Sequence, residues 1–505
     1  LIGLAGAGAS SGMAMAHWEI QGWMILILGW VFVPFYTRSM VYTMPEFLER
    51  RYNPQSRTIL SVISLVSYVL TKVAVTVYAG GLVFQQVFGI KELWGIDFFW
   101  IAAIGLVVLT ALYTIFGGMK SVLYTSVLQT PILLLGSLII LVLGFKELGG
   151  WDEMMRVCGA VTVNDYGDTM TNLIRSNDDA NFPWLGALIG SAIIGFWYWC
   201  TDQFIVQRVL SGKNEMEARR GTIFGAYLKL LPVFLFLIPG MIAFALHQKY
   251  IGAGGEGFLP MLANGTANAD AAFPTLVAKL LPAGVKGLVV CGILAALMSS
   301  LASLFNSSAM LFTIDFYKRF KPETPEKKLV GIGQIATIVI VVLGILWIPI
   351  MRSVGDVLYT YLQDVQSVLA PGIAAAFLLG ICWKRTSAQG GMWGLISGMV
   401  IGLTRLGAKV YYSNAGEVAD STFKYLFYDM NWLFFCGWMF LFCIIVVIVV
   451  SLATEAPTAE KIQGLVFGTA TKEQKAATRA SWNHWDIIHT VIILAITAAF
   501  YWYFW

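Results

Sequence analysis

The sequence predicts an all-α polytopic membrane protein, and three observations carry that expectation. Apolar residue types make up 58% of the 505 residues and charged types only 12%, about half the roughly 25% of a soluble domain. Mean hydropathy is +0.73. Apolar runs recur from end to end, many reaching the roughly 20 residues that cross a bilayer as helix. Hydrocarbon offers a bare backbone no hydrogen bonds, so each run must satisfy its own N–H and C=O groups, which helix does. The short alternating strands of a β-barrel are not seen in the sequence.

Thirteen passages are predicted, the first incomplete: near 1–16, 19–37, 57–88, 95–116, 119–146, 184–206, 221–247, 286–316, 329–350, 357–381, 389–412, 431–453 and 484–505. Comparing alternate loops, one set is rich in Lys and Arg, with Arg50, Arg51, Arg57, Lys213, Arg219, Arg220, Lys318, Arg319, Lys321, Lys327, Lys328, Lys384 and Arg385 among it. The other set is acid-rich, with Asp152, Glu153, Asp165, Asp168, Asp178 and Asp179 in one loop. The positive-inside rule makes the first set cytoplasmic and the C-terminus extracytoplasmic. The protein is expected in a cell membrane, plasma or bacterial inner. Residues 1–505 form a single membrane domain, with polar stretches at 147–183, 248–273 and 454–483 and a short outer helix over 274–285.

Composition excludes several function classes. A net charge of +4 is too small to point to nucleic acid, and six cysteines form no disulfide framework. The four histidines are scattered, and no zinc spacing, nucleophile motif or phosphate-binding loop is present. An enzyme is not expected, and energy for any transport comes from an ion gradient. The chain opens at Leu1 without Met, inside the small-residue run Leu4-Ala-Gly-Ala-Gly-Ala-Ser-Ser-Gly12. That run is neither a signal peptide nor a full span, so upstream sequence is expected to be missing.

Polar residues inside apolar runs are the functional candidates, because hydrocarbon penalises them. Glu19 begins the second passage and Lys229 sits centrally in the seventh. Asp202 and Gln203 follow Trp197-Tyr-Trp-Cys-Thr201, and Gln363, Asp364 and Gln366 follow Tyr359-Thr-Tyr-Leu362. An internal Glu19–Lys229 ion pair that only holds helices together is one reading. A cavity for a neutral sugar is the other, since hydroxyls need donors and acceptors while the C–H surface needs aromatic faces. Asp202 reads as structural. Positions 296, 299, 300 and 303 recur at i, i+3, i+4 and i+7 and share one helix face. The hydroxyls of Ser299 and Ser300 and the carbonyl of Ala296 are oxygen donors for a hard cation; contact between helices through small residues is the alternative.

Across nearly the whole chain the sequence resembles the sodium/solute symporter family, and within it the sodium/glucose cotransporter branch. The residues that carry the resemblance are Gly3-Leu-Ala-Gly, Thr43-Met-Pro-Glu-Phe-Leu, Ala111-Leu-Tyr-Thr-Ile-Phe-Gly-Gly118, Trp197-Tyr-Trp-Cys-Thr-Asp-Gln203 with Val206-Gln-Arg208, Tyr227-Leu-Lys-Leu230, Met298-Ser-Ser-Leu301 with Phe305-Asn-Ser307, and Phe377-Leu-Leu with Cys382-Trp-Lys-Arg385. The resemblance implies a LeuT-type fold of two inverted five-helix repeats: about 1–146, incomplete at its start, and 184–381, with peripheral helices over 389–505. It places sugar contacts on Glu19, Lys229 and Gln363, with Tyr198 as the aromatic that stacks under the sugar and Trp199 beside it. Leu4, Trp18 and Tyr359 match the apolar outer lid. The sodium ligands fall on Ala296, Ser299 and Ser300. Ser126 stands where two-sodium members carry Asp, and Ala302 replaces a hydroxyl. Thr360 and Gly195 depart at positions that contact sugar in relatives. The resemblance thus implies symport of one sodium ion with a glucose- or galactose-like sugar by alternating access. Transport of another small solute such as inositol, and a sugar-responsive channel or sensor, are the alternatives.

Overall fold

Apolar runs with internal breaks fold as helices interrupted where glycine, proline or a polar side chain disturbs the hydrogen-bond ladder. The structure, a computed structural model, describes residues 2–39, 41, 43–262, 265–354, 357–414 and 419–505, the side chains of 113, 115–126, 128, 351–354 and 414 excepted. The helices used below are α1 (Ile2–Ser11), α2 (Ala16–Glu19), α3 (Gly22–Ile27), α4 (Pro54–Phe88), α5 (Phe98–Leu148), α6 (Trp184–Thr201), α7 (Gln203–Leu210), α8 (Glu215–Gly252), α9 (Ala283–Phe320), α10 (Glu326–Val354), α11 (Leu358–Cys382), α12 (Ala388–Asn414), α13 (Trp432–Ala453) and α14 (His484–Tyr503). Among the described residues 10 helices are long and apolar enough to cross a membrane. The protein is a multi-pass membrane protein of the all-α class, its one small sheet among the described residues being the antiparallel pair Glu92–Leu93 and Ile96–Asp97.

The elements follow the predicted passages with two differences. Passages 95–116 and 119–146 lie in the one element α5. The first two passages run through Ile2–Ser39, broken around residues 11–15 and again at Ile20 and Gln21. The short outer helix appears as Ala272–Leu280. Local chemistry explains many helix starts. The side chains of Thr43, Asn53, Asp202, Asn214, Asn431 and Asn483 each accept a backbone N–H from the first turn they precede, where no intrahelical partner exists. Within the spans, wide turns interrupt the α-helical ladder at 28–32, 68–73, 196–201, 233–237 and 311–317. The one at 233–237 follows Pro232, which has no N–H to continue the ladder.

Packing between these helices depends on close backbone approach, since lipid tails supply no hydrophobic drive to bring apolar helices together. A Cβ at Gly240 of α8 would lie 2.8 Å from the carbonyl carbon of Ala5 in α1, and one at Gly8 would lie 3.1 Å from that of Leu237. The same device joins α11 to α12, where a Cβ at Gly398 would fall 2.6 Å from the Cα of Gly372. Helix α1 also meets α11, while α6 packs on α11 and α13. The break after α1 is held from outside the bundle. Gly12 turns the chain at φ +64 with a Cβ position 2.8 Å from the Met170 carbonyl carbon. Met170 accepts the N–H of Met13 at 2.8 Å, and Arg175 donates to the Ser11 carbonyl.

Gly240→Ala places a methyl against the α1 backbone and is expected to destabilise by about 1–3 kcal/mol, as overpacking does. Thermal unfolding in detergent checks it. Gly221→Ala, where a Cβ meets nothing within 4 Å, should leave the midpoint equal or higher, because alanine is the better helix former.

Candidate functional site

The break at Ile20 and Gln21 ends α2 at Glu19 and leaves that carboxylate deep among helices, 6% exposed. A lone carboxylate there is untenable without partners, and two helices supply them. Lys229, one turn before Pro232 on α8, places Nζ 2.5 Å from Glu19 Oε2. Tyr359, in the first turn of α11, donates its hydroxyl to Glu19 Oε1. Gln363 lies one turn further on, on the same face as Tyr359. The wide turn at 196–201 presents Tyr198 and Trp199 together; their rings meet edge to face at 5.1 Å, and Lys229 Nζ lies 5.4 Å over Trp199.

These side chains enclose a cavity of 210 Å³, below the roughly 300–1,000 Å³ of drug-sized sites. Glu19, Tyr198, Trp199, Lys229 and Gln363 all line it, as do Trp18 and Tyr359. Tyr359, read from sequence as apolar lid, is therefore also a polar member of the wall. Leu4 does not line the cavity; it is buried on α1, 3% exposed. Ala296, Ser299 and Ser300 stand apart from the cavity on α9, with Ser299 buried and Ser300 exposed. The side chain of Ser126 lies outside the described residues; Ala302 is fully buried.

Two buried polar atoms of the lining lack a protein partner among the described residues: Gln363 Oε1, an acceptor, and Trp18 Nε1, a donor. Buried polar atoms are almost always satisfied, so one acceptor and one donor here keep unused hydrogen-bonding capacity. The ion pair cancels its own charge, so the cavity suits a neutral solute.

Above and behind the cavity the lining is braced. Trp18 stacks on Trp432 at 5.4 Å and meets Phe182 edge-on at 6.0 Å. Beside it the Leu173 carbonyl can only accept, so His17 donates from Nε2 at 3.0 Å and accepts the Tyr501 hydroxyl at Nδ1, 2.9 Å away. Behind Tyr198, Lys72 pairs with Asp202 among the rings of Tyr68, Tyr198 and Phe204. Asp202 also caps α7 at Phe204 N and accepts from Tyr68, the structural part its sequence context suggested. Asp364 turns away from the cavity to Lys409 of α12. Asp270, from the loop before the short outer helix, caps α11 from a distance: both its oxygens accept the Leu358 N–H, at 3.0 and 3.2 Å.

Sequence reasoning missed Gln21, which lines the cavity two residues after Glu19. An amide inside an apolar run was the available signal. Gln366, named among the polar residues of its run, lines it too.

Comparison with known proteins adds the following. The model of the Sodium:solute symporter family matches residues 1–402. The human Sodium/myo-inositol cotransporter 2 is 36% identical over 481 residues, 93% of this chain and 70% of the relative. Sheep Sodium/glucose cotransporter 1 is 37% identical over 472 residues, 90% of this chain and 70% of the relative. A solved structure of a Na+-coupled sialic acid symporter in a substrate-bound outward-open state superposes with a TM-score of 0.67 at 21% identity, covering 90% of this chain and 86% of that one. That likeness establishes the LeuT-type fold.

Two outcomes are expected from this geometry. Lys229→Met strands the Glu19 carboxylate and costs about 3–5 kcal/mol, while adding Glu19→Gln recovers most of it. Thermal unfolding of the single and double variants checks this, and a single variant as stable as wild type would contradict it. Burial raises the Asp270 carboxyl from its ordinary 3.8 to about 7, opposed by the Leu358 N–H. The folded protein then holds a proton that the unfolded chain releases, so this group's contribution to stability falls as pH rises from 3.8 to about 7. Asp270→Asn keeps an acceptor for Leu358 and should flatten that slope in thermal midpoints taken across the range.

Proposed function

The chain belongs to the sodium:solute symporter family, and from that premise we propose that it carries one sodium ion together with one neutral polyol across the membrane by alternating access. The polyol is a hexose of the glucose or galactose kind, or a cyclitol such as inositol. The protein is a sodium-coupled transporter and not an enzyme, as its family and relatives are.

The observation that carries the substrate reading is the self-neutralised cavity, where Glu19 is paired with Lys229 and Tyr359 while Gln363 Oε1 and Trp18 Nε1 have no partner among the described residues. An anionic solute would face Glu19, and a cationic one Lys229. A small ring of hydroxyls offers Glu19 and Gln363 donors, offers Lys229 and Trp18 acceptors, and presents its C–H face to Tyr198. Relatives with glucose and myo-inositol in their names support the same class.

Sodium is the second cargo. Ala296, Ser299 and Ser300 supply neutral oxygens on α9, suited to a hard monovalent ion. Ser126 and Ala302 replace groups that would hold a second ion, and two cations a few ångströms apart repel strongly where the dielectric is low. The two halves, about 1–146 and 184–381, rock against each other around the cavity. Leu4, Trp18 and Tyr359 close the outer side and Tyr198 the inner. Sodium favours the outward-open form, and so raises the affinity for solute by the same factor by which solute raises that for sodium. The Lys- and Arg-rich loops lie in the cytoplasm, with the C-terminus outside.

Proteoliposomes test this directly. An inward sodium gradient should accumulate radiolabelled D-glucose or myo-inositol above equilibrium, a sodium ionophore should collapse the accumulation, and paired fluxes should give one sodium per solute. Equilibration without accumulation would overturn symport in favour of a channel, and a ratio of two would overturn the single site.

A further inference from the structure

The side chain that Gly195 lacks is replaced, in space, by another residue's amide. Gly195 lies in α6 just before the wide turn that carries Tyr198, and it lines the cavity. A Cβ there would overlap Gln21 Oε1 and lie 3.0 Å from Gln21 Cδ. The carboxamide of Gln21 therefore fills the volume into which any side chain at 195 would project. Gln21 sits in the break between α2 and α3, 2% exposed. Its orientation is settled by chemistry: Nε2 lies 2.8 Å from the Ser191 carbonyl, one turn before Gly195 on α6. A carbonyl only accepts, so that arm is the NH₂ and the other is the acceptor Oε1. Gln21 also lines a second cavity of 360 Å³, walled by His17, Ser191 and Tyr501 among others. Its amide thus stands in the partition between the two.

We propose that Gln21 and Gly195 act as a specificity-determining pair, in which Gln21 Oε1 accepts a hydrogen bond from one hydroxyl of the solute. This rests on the reading of the 210 Å³ cavity as the solute site. Three features favour recognition over packing. The amide is pinned through Nε2, so Oε1 is held in place before the solute arrives, and preorganised contacts cost less to make. Oε1 occupies the place that a side chain at Gly195, a residue of the cavity lining, would take. It is also an acceptor with no ionisable alternative, so it selects for a hydroxyl and against a deoxy, fluoro or O-methyl group at one ring position. A site built to bond a hydroxyl rejects the analogue without it, because its own polar atom is left unpaired.

Competition uptake in proteoliposomes tests the proposal, with radiolabelled D-glucose and myo-inositol as probes and their monodeoxy and O-methyl derivatives as competitors. The wild type should discriminate about tenfold against the derivative altered at one position assigned to Gln21, the size of one neutral hydrogen bond. In Gln21→Leu that discrimination should fall to near one, while discrimination at other positions persists. Gly195→Ala, which displaces the amide without removing it, should do the same, and thermal midpoints confirm that the variants are folded. If both keep the wild-type profile while Glu19→Gln and Gln363→Ala alter theirs, the cavity reading stands and the part given to Gln21 is wrong. If all four keep the wild-type profile, the cavity reading itself fails and the proposal with it.

Discussion

A carboxylate and an ammonium share one small space inside a protein whose surroundings are hydrocarbon, and the rest of the site is arranged around that fact. Taking two ions out of water costs several kcal/mol each, repaid only by good geometry and by further hydrogen bonds. Glu19 and Lys229 meet that demand by direct contact and by the Tyr359 hydroxyl. The pair requires the chain to break after Glu19, α8 to come within reach, and α11 to start where Tyr359 can donate. Two of these are enforced elsewhere: the approach of α8 by Gly8 and Gly240 against α1, and the start of α11 by Asp270. Beside the pair, Gln363 Oε1 and Trp18 Nε1 have no protein partner among the described residues.

Much of this was legible because charge inside an apolar run is conspicuous. Glu19, Lys229 and Gln363 stand out on that ground alone, whereas Tyr359 entered only through the resemblance, as part of the outer lid. Helix starts were written locally in Asn, Asp and Thr caps. What sequence did not reveal is what depends on distance. Gln21 gains its position from Gly195 and Ser191, far along the chain. The cap on α11 comes from Asp270, which no local pattern links to Leu358. Leu4, on α1, is buried in the packing and does not line the cavity.

The wide turns bear on motion. A wide turn leaves part of a helix less firmly bonded and is frequent at functional sites. Tyr198 stands in one of these turns, directly before the extended residue Asp202. Its ring is flanked on one side by the cavity and on the other by Lys72, itself tied to Asp202. On the other side, Trp18 is held by aromatic rings from two separate segments, Phe182 and Trp432.

The most direct measurement is a structure of the protein in lipid nanodiscs with sodium and a transported polyol bound. The account predicts the solute ring in the 210 Å³ cavity, within hydrogen-bond distance of Glu19, Lys229 and Gln363 and with a C–H face on Tyr198. A solute bound elsewhere, with the Glu19–Lys229 pair closed and dry, would contradict it.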